Sequence, residues 1–243
     1  MWAWDYSLKV EEKFFDYHFS SINAEEYTST QLYKHYKRKE KSNKGYIKKE
    51  LPYTFDLASS FEKTILNRKT CVGTFSNNQR ITMNLIARFS QLAFIGGEGG
   101  HRAYPSGGAR YYVNIHYMFH NERVDEDLWK QGNISELNMD TNQLLIKDSI
   151  PWQVVEDAFI QKKLVSTAQF AIVLSVDLQS ISKKYTDISY KLVQQEAGHI
   201  GQNIQLVSTY LGMQSLPLGG FYDLEVNRLI GGNETTLYVF LIG

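Results

Sequence analysis

The chain has 243 residues, a length that suits one large domain or two small ones, and we expect one. It carries 26 basic and 26 acidic residues. This zero net charge argues against general binding to nucleic acid or to anionic membranes, because both need an excess of Lys and Arg. The single cysteine, Cys71, excludes an intrachain disulfide and any multi-cysteine metal site.

The sequence also lacks the usual signals for membrane insertion or export. No apolar run reaches the roughly 18 to 20 residues of a membrane span. Charged residues interrupt the N-terminal segment where a signal peptide needs an apolar block. We therefore predict a cytoplasmic protein with no membrane contact.

The first 55 residues differ in composition from the rest of the chain. Residues 1–19 are rich in aromatic side chains, which are costly to leave in water, so we predict that this arm packs on the body or on a partner. The basic run Lys34–Lys49 is either a solvated helix end with a linker or a docking strip for an acidic peptide or protein. We predict an N-terminal arm over residues 1–55 and a single domain over residues 56–243.

In the first half of that domain, helices and a strand are predicted around an irregular segment. Residues 61–75 are typical of a helix end that turns into an extended piece, and the apolar side chains of Ile81–Phe94 fall on one helical face. Gly96–Arg110 is rich in Gly and Pro and cannot be regular structure. Residues 111–120 alternate apolar and polar side chains, which indicates a strand.

The second half intersperses helices with strands, and no internal repeat is visible. The predicted elements are a hairpin at 138–143, a helix at 151–163, a buried strand at 168–176, a helix at 183–212, a loop at 214–223, a short helix at 224–230 and a strand at 235–243.

The long predicted helix, Lys183–Gly212, has two features that a plain core helix lacks. Its apolar residues recur at helical spacing over about seven turns, and Gly212 supplies a helix stop. A Lys-Tyr pair, Lys184–Tyr185, stands at its start. In its middle, Gly198 and Gly201 each cost about 1 kcal/mol relative to Ala. Either something approaches this helix closely, or it begins where chemistry takes place.

Common catalytic motifs are missing from the sequence. The six histidines are scattered, and without HxH, HExxH or CxxC spacing a metal site has little support. There is no GxSxG elbow and no Walker loop. The run GGEGG resembles a dinucleotide fingerprint only in composition, because no strand leads into it and no helix leaves it.

Three other segments could contact a ligand. Asn67–Thr70 places two cations beside a hydroxyl, a combination that can hold a phosphate by charge-assisted hydrogen bonds, although a surface basic pair is the simpler interpretation. In Pro105–Ala109 the glycines let backbone amides approach a flat or anionic ligand, or form a sharp turn before the strand. Pro217–Phe221 is a second glycine loop without side-chain obstruction.

Taken together and in order, these segments resemble the nitroreductase-like flavoproteins and, within them, the SagB-type dehydrogenases that oxidise thiazolines and oxazolines in ribosomally made peptides. The resemblance is carried by DYHFSS (16–21), RKT (68–70), RAYPSGGARYY (102–112), KYTDISY (184–190), EAGHIGQN (196–203) and GGFYD (219–223). It implies an α+β fold with a mixed sheet flanked by helices, an FMN cofactor, and a homodimer with the long helix at its interface.

The resemblance also implies roles for individual residues. Its FMN-contacting positions, from the phosphate and ribityl chain to the region of flavin N5, fall on Arg68, Lys69, Thr70, Ser106, Gly107, Gly108, Asn203, Gly219 and Gly220. The chain departs from the family pattern in two places. Cys71, Val72 and Gly73 stand where a second Arg is common, and Arg110 stands where the family has Leu, so Arg110 could be a substitute cation.

Lys184 and Tyr185 occupy the positions of the family's Lys-Tyr pair. Converting an azoline to an azole removes a hydride, which the flavin takes, and a proton, which needs a base. Either residue could be that base. The resemblance further implies a peptide substrate bearing azoline rings, a cyclodehydratase partner that makes those rings, and oxygen as the acceptor for reduced flavin.

Two other functions remain open at this point. One is an NAD(P)H-dependent nitroreductase or flavin reductase with a broad substrate range. The other is a non-catalytic scaffold subunit of a peptide-modifying complex, which the departures from the family pattern and the aromatic, basic arm would suit.

Overall fold

A computed structural model describes residues 16–18, 21, 22, 49, 51, 54–56, 58–76, 79–97, 99–186 and 188–243. Most of the predicted arm, including its first aromatic residues and nearly all of the basic run, lies outside these described residues. The boundary after residue 55 therefore stays a prediction. No helix among the described residues is long and apolar enough to cross a membrane.

A six-stranded sheet forms the centre of the molecule. The strands are β1 (Asn114–Phe119), β2 (Ile134–Asn138), β3 (Gln143–Asp148), β4 (Phe170–Val176), β5 (Ser215–Leu218) and β6 (Thr235–Ile242), in the spatial order β3-β2-β1-β4-β6-β5. All five neighbouring pairs are antiparallel. The predicted mixed sheet is thus an antiparallel one, and among the described residues parallel pairing is limited to a bridge between Thr70 and Ser215.

Helices lie on both faces of this sheet, which confirms the α+β class. They are α1 (Ser60–Asn67), α2 (Met83–Ser90), α3 (Trp152–Asp157), α4 (Lys162–Val165), α5 (Leu178–Tyr185), α6 (Ile188–Tyr210) and α7 (Asp223–Leu229). One core joins α2, α5 and α6 to the face of β1 and β4 that carries Ile115 and Ile172. The other core joins α3, α4 and α7 to the opposite face, which carries Met118 and Val173. Because both faces are covered, β4 is buried at every position.

The prediction of one helix from Lys183 is wrong at its N-terminal end. Lys184 and Tyr185 end α5, which begins after Asp177, whose side chain accepts hydrogen bonds from the amides of Gln179 and Ser180. The chain then breaks at Thr186, whose φ of 50° and ψ of −136° are incompatible with a helix. Apolar spacing continues across this break, so periodicity alone did not reveal it.

The C-terminal end of the long helix agrees with the prediction. Helix α6 ends at Tyr210, and Gly212 has a φ of +78° that suits a glycine stop. The following segment, predicted as a loop, contains strand β5 at the edge of the sheet. Pro217 within it is tolerated because an edge strand needs only one row of hydrogen bonds.

Candidate functional site

The Lys-Tyr pair meets the Pro105–Ala109 loop in space. Tyr185 donates a hydrogen bond through its hydroxyl to the carbonyl oxygen of Gly107, at 3.4 Å. The same hydroxyl would lie 2.6 Å from a Cβ on Gly108, whose φ is +64°. Both the close approach and the left-handed backbone require glycine at 108. Two segments singled out separately in the sequence therefore form one local site.

Lys184 and Tyr185 are arranged differently within that site. The Lys184 side chain is exposed, and its Nζ lies 5.1 Å from the centre of the Tyr185 ring, a cation–π distance. The Tyr185 ring is half-buried and stands edge-on to Tyr112, with 6.4 Å between ring centres. The phenol is thus held by packing, while the ammonium beside it stays in contact with solvent.

A buried carboxylate on α6 holds the glycine loop in place. Ser106 Oγ donates to Glu196 Oε2 at 2.5 Å and accepts from the amide of Tyr111 at 2.9 Å. Glu196 Oε1 accepts from the amide of Val113 at 3.3 Å. Glu196 is only 3% exposed, and this burial raises the pKa of its carboxyl. Glu196 begins the segment EAGHIGQN, but no sequence motif predicted its role.

Asn203 on α6 holds the chain at the start of the same loop. Its amide nitrogen donates to the carbonyl oxygens of Ala93 and Ala103, at 3.1 and 2.9 Å. It therefore links α6 to the turn after α2 and to the start of the loop. Its predicted contact with FMN remains a prediction.

The predicted phosphate ligands lie elsewhere along α6. Arg68 follows the last residue of α1, and its guanidinium donates to Gln205 Oε1 at 2.7 Å. Lys69 is exposed. Thr70 pairs with Ser215, so the segment runs beside β5 and toward the second glycine loop. Because this pairing is parallel, Arg68 and Lys69 lie before the start of β5, whereas Gly219 follows its other end.

The two glycines after β5 have different surroundings. At Gly219 an added Cβ would meet no atom within 4 Å, so its backbone borders open space. At Gly220 a Cβ would collide with the amide of Gln161, and the Gly220 carbonyl accepts from the amide of Ile160 at 2.9 Å. Gly220 is therefore fixed by the α3–α4 connection, whereas Gly219 is accessible to a ligand.

Gly219 borders a cavity of about 330 Å³ with a polar lining. Its other lining residues include His18, Ser21, Tyr190, Gln194, Asp223 and Tyr238. His18 Nδ1 lies 3.4 Å from the Tyr190 hydroxyl, and burial lowers the pKa of this histidine. His18 belongs to the segment DYHFSS, but no role for it was predicted. A second cavity, of about 640 Å³, lies between α2 and the β2–β3 hairpin and is lined by none of the predicted site residues.

The predicted residues fall into two groups on opposite flanks of α6. The loop flank consists of residues 105–109 and Tyr185, which meet α6 near Leu192 and Glu196. The open flank consists of Arg68–Thr70 and Gly219, which meet α6 near Gln205 and Tyr190. Gln205 comes nine positions after Glu196, which at about 3.6 residues per turn is two and a half turns, on the other side of the helix. One chain does not bring the two groups together.

Comparison with known proteins identifies relatives of this chain. The Nitroreductase family model matches residues 65–243. A protein of Methanocaldococcus jannaschii named "Putative nitroreductase" is 26% identical over 150 residues, which cover 60% of this chain and 72% of that protein.

The fold also occurs in solved structures. A chain of the E. coli microcin synthetase McbBCD complex with truncated pro-MccB17 bound superposes with a TM-score of 0.76 at 18% identity, over 96% of this chain and 92% of that one. The NADPH:FMN oxidoreductase of Vibrio harveyi, complexed with NAD⁺, superposes with a TM-score of 0.50 at 16% identity, over 76% of this chain and 68% of that one.

Proposed function

Since this chain belongs to the nitroreductase family, we propose that it is an FMN-dependent dehydrogenase that oxidises thiazoline or oxazoline rings to thiazoles or oxazoles in a ribosomally made peptide. The observation that carries the proposal is the contact of Tyr185, beside Lys184, with the Gly107–Gly108 backbone. Support comes from the near-complete overlap with a chain of the microcin synthetase complex, whose structure has a pro-microcin peptide bound.

The open flank has the chemistry that FMN requires. Arg68 and Lys69 place two cations for the phosphate, and the Thr70 hydroxyl adds a hydrogen-bonding group. Gly219 leaves open space where a flat ring can lie against the backbone. When bound, FMN supplies the acceptor for the hydride that leaves the azoline ring.

The loop flank supplies the proton acceptor. The Tyr185 hydroxyl is held against Gly107, and the Lys184 ammonium lies over the Tyr185 ring. We propose that one of these two residues takes the proton from the ring carbon, and that Ser106–Gly108 pack against the cofactor. Glu196 keeps the loop rigid, so that the base and the azoline ring meet in a fixed geometry.

The separation of the two flanks leads us to propose a homodimer. Because Arg68 and Gly219 lie across α6 from Tyr185, a complete site needs the open flank of one protomer beside the loop flank of its partner. A shallow apolar surface formed by α1, α6 and the turn after α2 suits this contact. Its residues Phe61, Ile65, Leu92 and Tyr210 are exposed in the single chain.

We propose that the enzyme acts in the cytoplasm on peptides cyclised by a cyclodehydratase, with oxygen reoxidising the flavin. Such a reaction would belong to bacteriocin maturation or a related peptide pathway. The azoline must be formed before it can be oxidised, so the cyclodehydratase acts first and is the expected partner.

The test follows the flavin absorbance of the purified protein. We expect a yellow protein that is bleached by an azoline-containing peptide under anaerobic conditions and recovers its colour with oxygen. Lys184→Ala and Tyr185→Phe should both retain FMN, and the one that removes the base should lose at least about 100-fold in bleaching rate. Lys183→Ala, which removes an exposed lysine from the same turn, is the matched control and should bleach normally.

Other outcomes identify the rival functions. Rapid bleaching by NAD(P)H alone, without any peptide, would favour a nitroreductase or flavin reductase, the activity suggested by the likeness to the Vibrio harveyi enzyme. A colourless protein that cannot be reconstituted with FMN but co-purifies with a cyclodehydratase would favour a scaffold subunit. Full peptide oxidation by both Lys184→Ala and Tyr185→Phe would contradict the base assignment.

A further inference from the structure

A cluster of possible metal ligands lies on the sheet, away from the proposed flavin site. It consists of His116 on β1, Glu136 on β2 and Glu234 just before β6. One donor atom from each residue lies within 4.8 Å of the other two. Side chains alternate along a strand, so His116 shares its face with Met118, which packs in the core opposite α6.

Strand pairing brings the three residues together. His116 stands directly opposite Glu136 in the β1–β2 register. On its other side, His116 Nε2 lies 2.8 Å from Ser175 Oγ and 3.2 Å from Glu234 Oε2. Glu234 Oε1 accepts from the side-chain amide nitrogen of Asn114 at 3.0 Å, which fixes the carboxylate at the start of β1. The residues are up to 118 positions apart, which is why no sequence motif revealed them.

The protein's own hydrogen bonds leave this cluster incomplete. His116 is fully buried, and its Nδ1 has no hydrogen-bond partner among the described residues. Leaving a buried ring nitrogen unpaired is unfavourable, and such groups are uncommon in folded proteins. The orphaned nitrogen is an observation independent of the two carboxylates.

We propose that His116, Glu136 and Glu234 bind a divalent transition metal ion of the Zn²⁺ or Mn²⁺ type. An imidazole with two carboxylates suits these ions, whereas Mg²⁺ and Ca²⁺ prefer oxygen ligands alone. Two carboxylates also balance the charge of a divalent ion. The cluster remains partly open to solvent, since the side chains of Glu136 and Glu234 are 23% and 21% exposed.

Binding requires a modest rearrangement. Metal–ligand distances of about 2.0 to 2.2 Å bring donor atoms closer than 4.8 Å to one another, so the two glutamates must rotate inward. Glu136 Oε2 is paired with Lys147 Nζ at 2.7 Å, and its second oxygen can turn toward the ion while that pair persists. Because the ligands come from β1, β2 and the start of β6, the ion would fasten the β2–β3 hairpin to the centre of the sheet.

The test measures metal binding to the purified full-length protein after chelator treatment and desalting. We expect elemental analysis to find about one equivalent of Zn²⁺ or Mn²⁺ per chain. Adding either ion should raise the thermal midpoint of unfolding by several degrees, whereas adding Mg²⁺ should not. Glu136→Gln and Glu234→Gln should each weaken the affinity at least about 10-fold. Glu126→Gln, which changes an exposed glutamate paired with Lys130, is the matched control and should bind normally.

Clear results would overturn the proposal. Less than about a fifth of an equivalent of metal, with no shift in thermal midpoint, would mean that the cluster is a metal-free hydrogen-bond network. Equal loss of binding in Glu126→Gln would mean adsorption at the surface. Because Glu136 is partly exposed, its variant should fold even if His116→Gln does not, so the test stays decisive.

Discussion

The loop flank and the open flank of α6 differ in how the backbone beside them is held. On the loop flank, Glu196 bonds both Ser106 and the amide of Val113. Asn203 bonds one carbonyl in the turn after α2 and one at the start of the loop. His199 Nδ1 adds a contact to the Pro105 carbonyl at 3.2 Å. Side chains of the helix therefore determine the conformation of a segment that has little regular structure of its own.

The open flank has the opposite character. Arg68 reaches α6 through its bond to Gln205 Oε1, and Lys69 points to solvent. Gly219 borders a cavity rather than packed side chains. Charged and backbone groups on this side are thus accessible to a ligand.

The two halves of the proposed site therefore contribute to different free energies, one to that of folding and the other to that of ligand binding. Pre-organised hydrogen bonds on the loop flank contribute to folding and position the base before any ligand arrives. Groups on the open flank contribute mainly when a ligand binds. Substitutions should therefore separate cleanly, with stability lost on one flank and cofactor affinity lost on the other.

Among substitutions that change binding or stability rather than the rate of reaction, Arg68→Ala should have the greatest effect, a loss of flavin affinity. A charge-assisted hydrogen bond to a phosphate contributes about 1.5 to 3 kcal/mol, so the FMN Kd should rise roughly 10- to 100-fold. Flavin fluorescence titration measures this change, and the thermal midpoint without FMN should move little. Lys63→Ala, an exposed lysine on α1, should leave the Kd unchanged. An unaltered Kd in Arg68→Ala would remove Arg68 from the phosphate site.

Glu196→Ala should show the reverse pattern. Removing the carboxylate leaves the Ser106 hydroxyl and the Val113 amide without their acceptor, so the free energy of unfolding should fall by about 2 to 3 kcal/mol. Urea denaturation measures the loss. Glu196→Gln keeps one acceptor oxygen and should lose less. If the Ala variant keeps its stability and loses only FMN, the loop is not held as the structure indicates.

Much of this fold could be predicted from the sequence because its pattern is local. The alternation in β1, the continuous apolar run of β4 and the one-sided spacing of α2 each identified an element. The break at Thr186 and edge strand β5 were missed, because both depend on tertiary contacts. Helical spacing continues through the break, and Pro217 argues against a strand unless its place at the sheet edge is known.

The site was predicted only in part, for a similar reason. The resemblance selected Tyr185 and Gly108, and the structure places them in contact. Glu196 looks like any helical surface acid in the sequence, since its burial depends on Ser106, which is 90 positions away. His18 and the ligands around His116 likewise acquire their surroundings from distant segments. Burial and partners that arise between such segments cannot be read from local pattern.

The two glycines in the middle of α6 differ in how closely they are packed. A Cβ at Gly201 would lie 2.6 Å from Phe240 Cζ, so Gly201→Ala should lower the free energy of unfolding by about 1 to 3 kcal/mol through overpacking. A Cβ at Gly198 would meet no atom within 4 Å, so Gly198→Ala should raise the free energy of unfolding by about 0.5 to 1 kcal/mol. Thermal unfolding of both variants measures the pair. Destabilisation by Gly198→Ala would mean that this face is covered in the dimer.

The smallest expected effect is a pH dependence of opposite sign on the two flanks. Burial raises the pKa of Glu196 in the folded chain above its usual 4.5. Between the unfolded and the folded pKa, the folded chain therefore binds more protons, and stability falls as pH rises. Burial lowers the pKa of His18 below 6.5, so the unfolded chain binds more protons and stability falls as pH drops below 6.5. Urea midpoints from pH 4.5 to 8 for the wild type, Glu196→Gln and His18→Gln separate the two contributions. Glu196→Gln should remove only the fall in urea midpoint with rising pH, and His18→Gln only the fall below pH 6.5. A Glu196→Gln curve parallel to that of the wild type would mean that Glu196 does not titrate differently in the folded and unfolded chains.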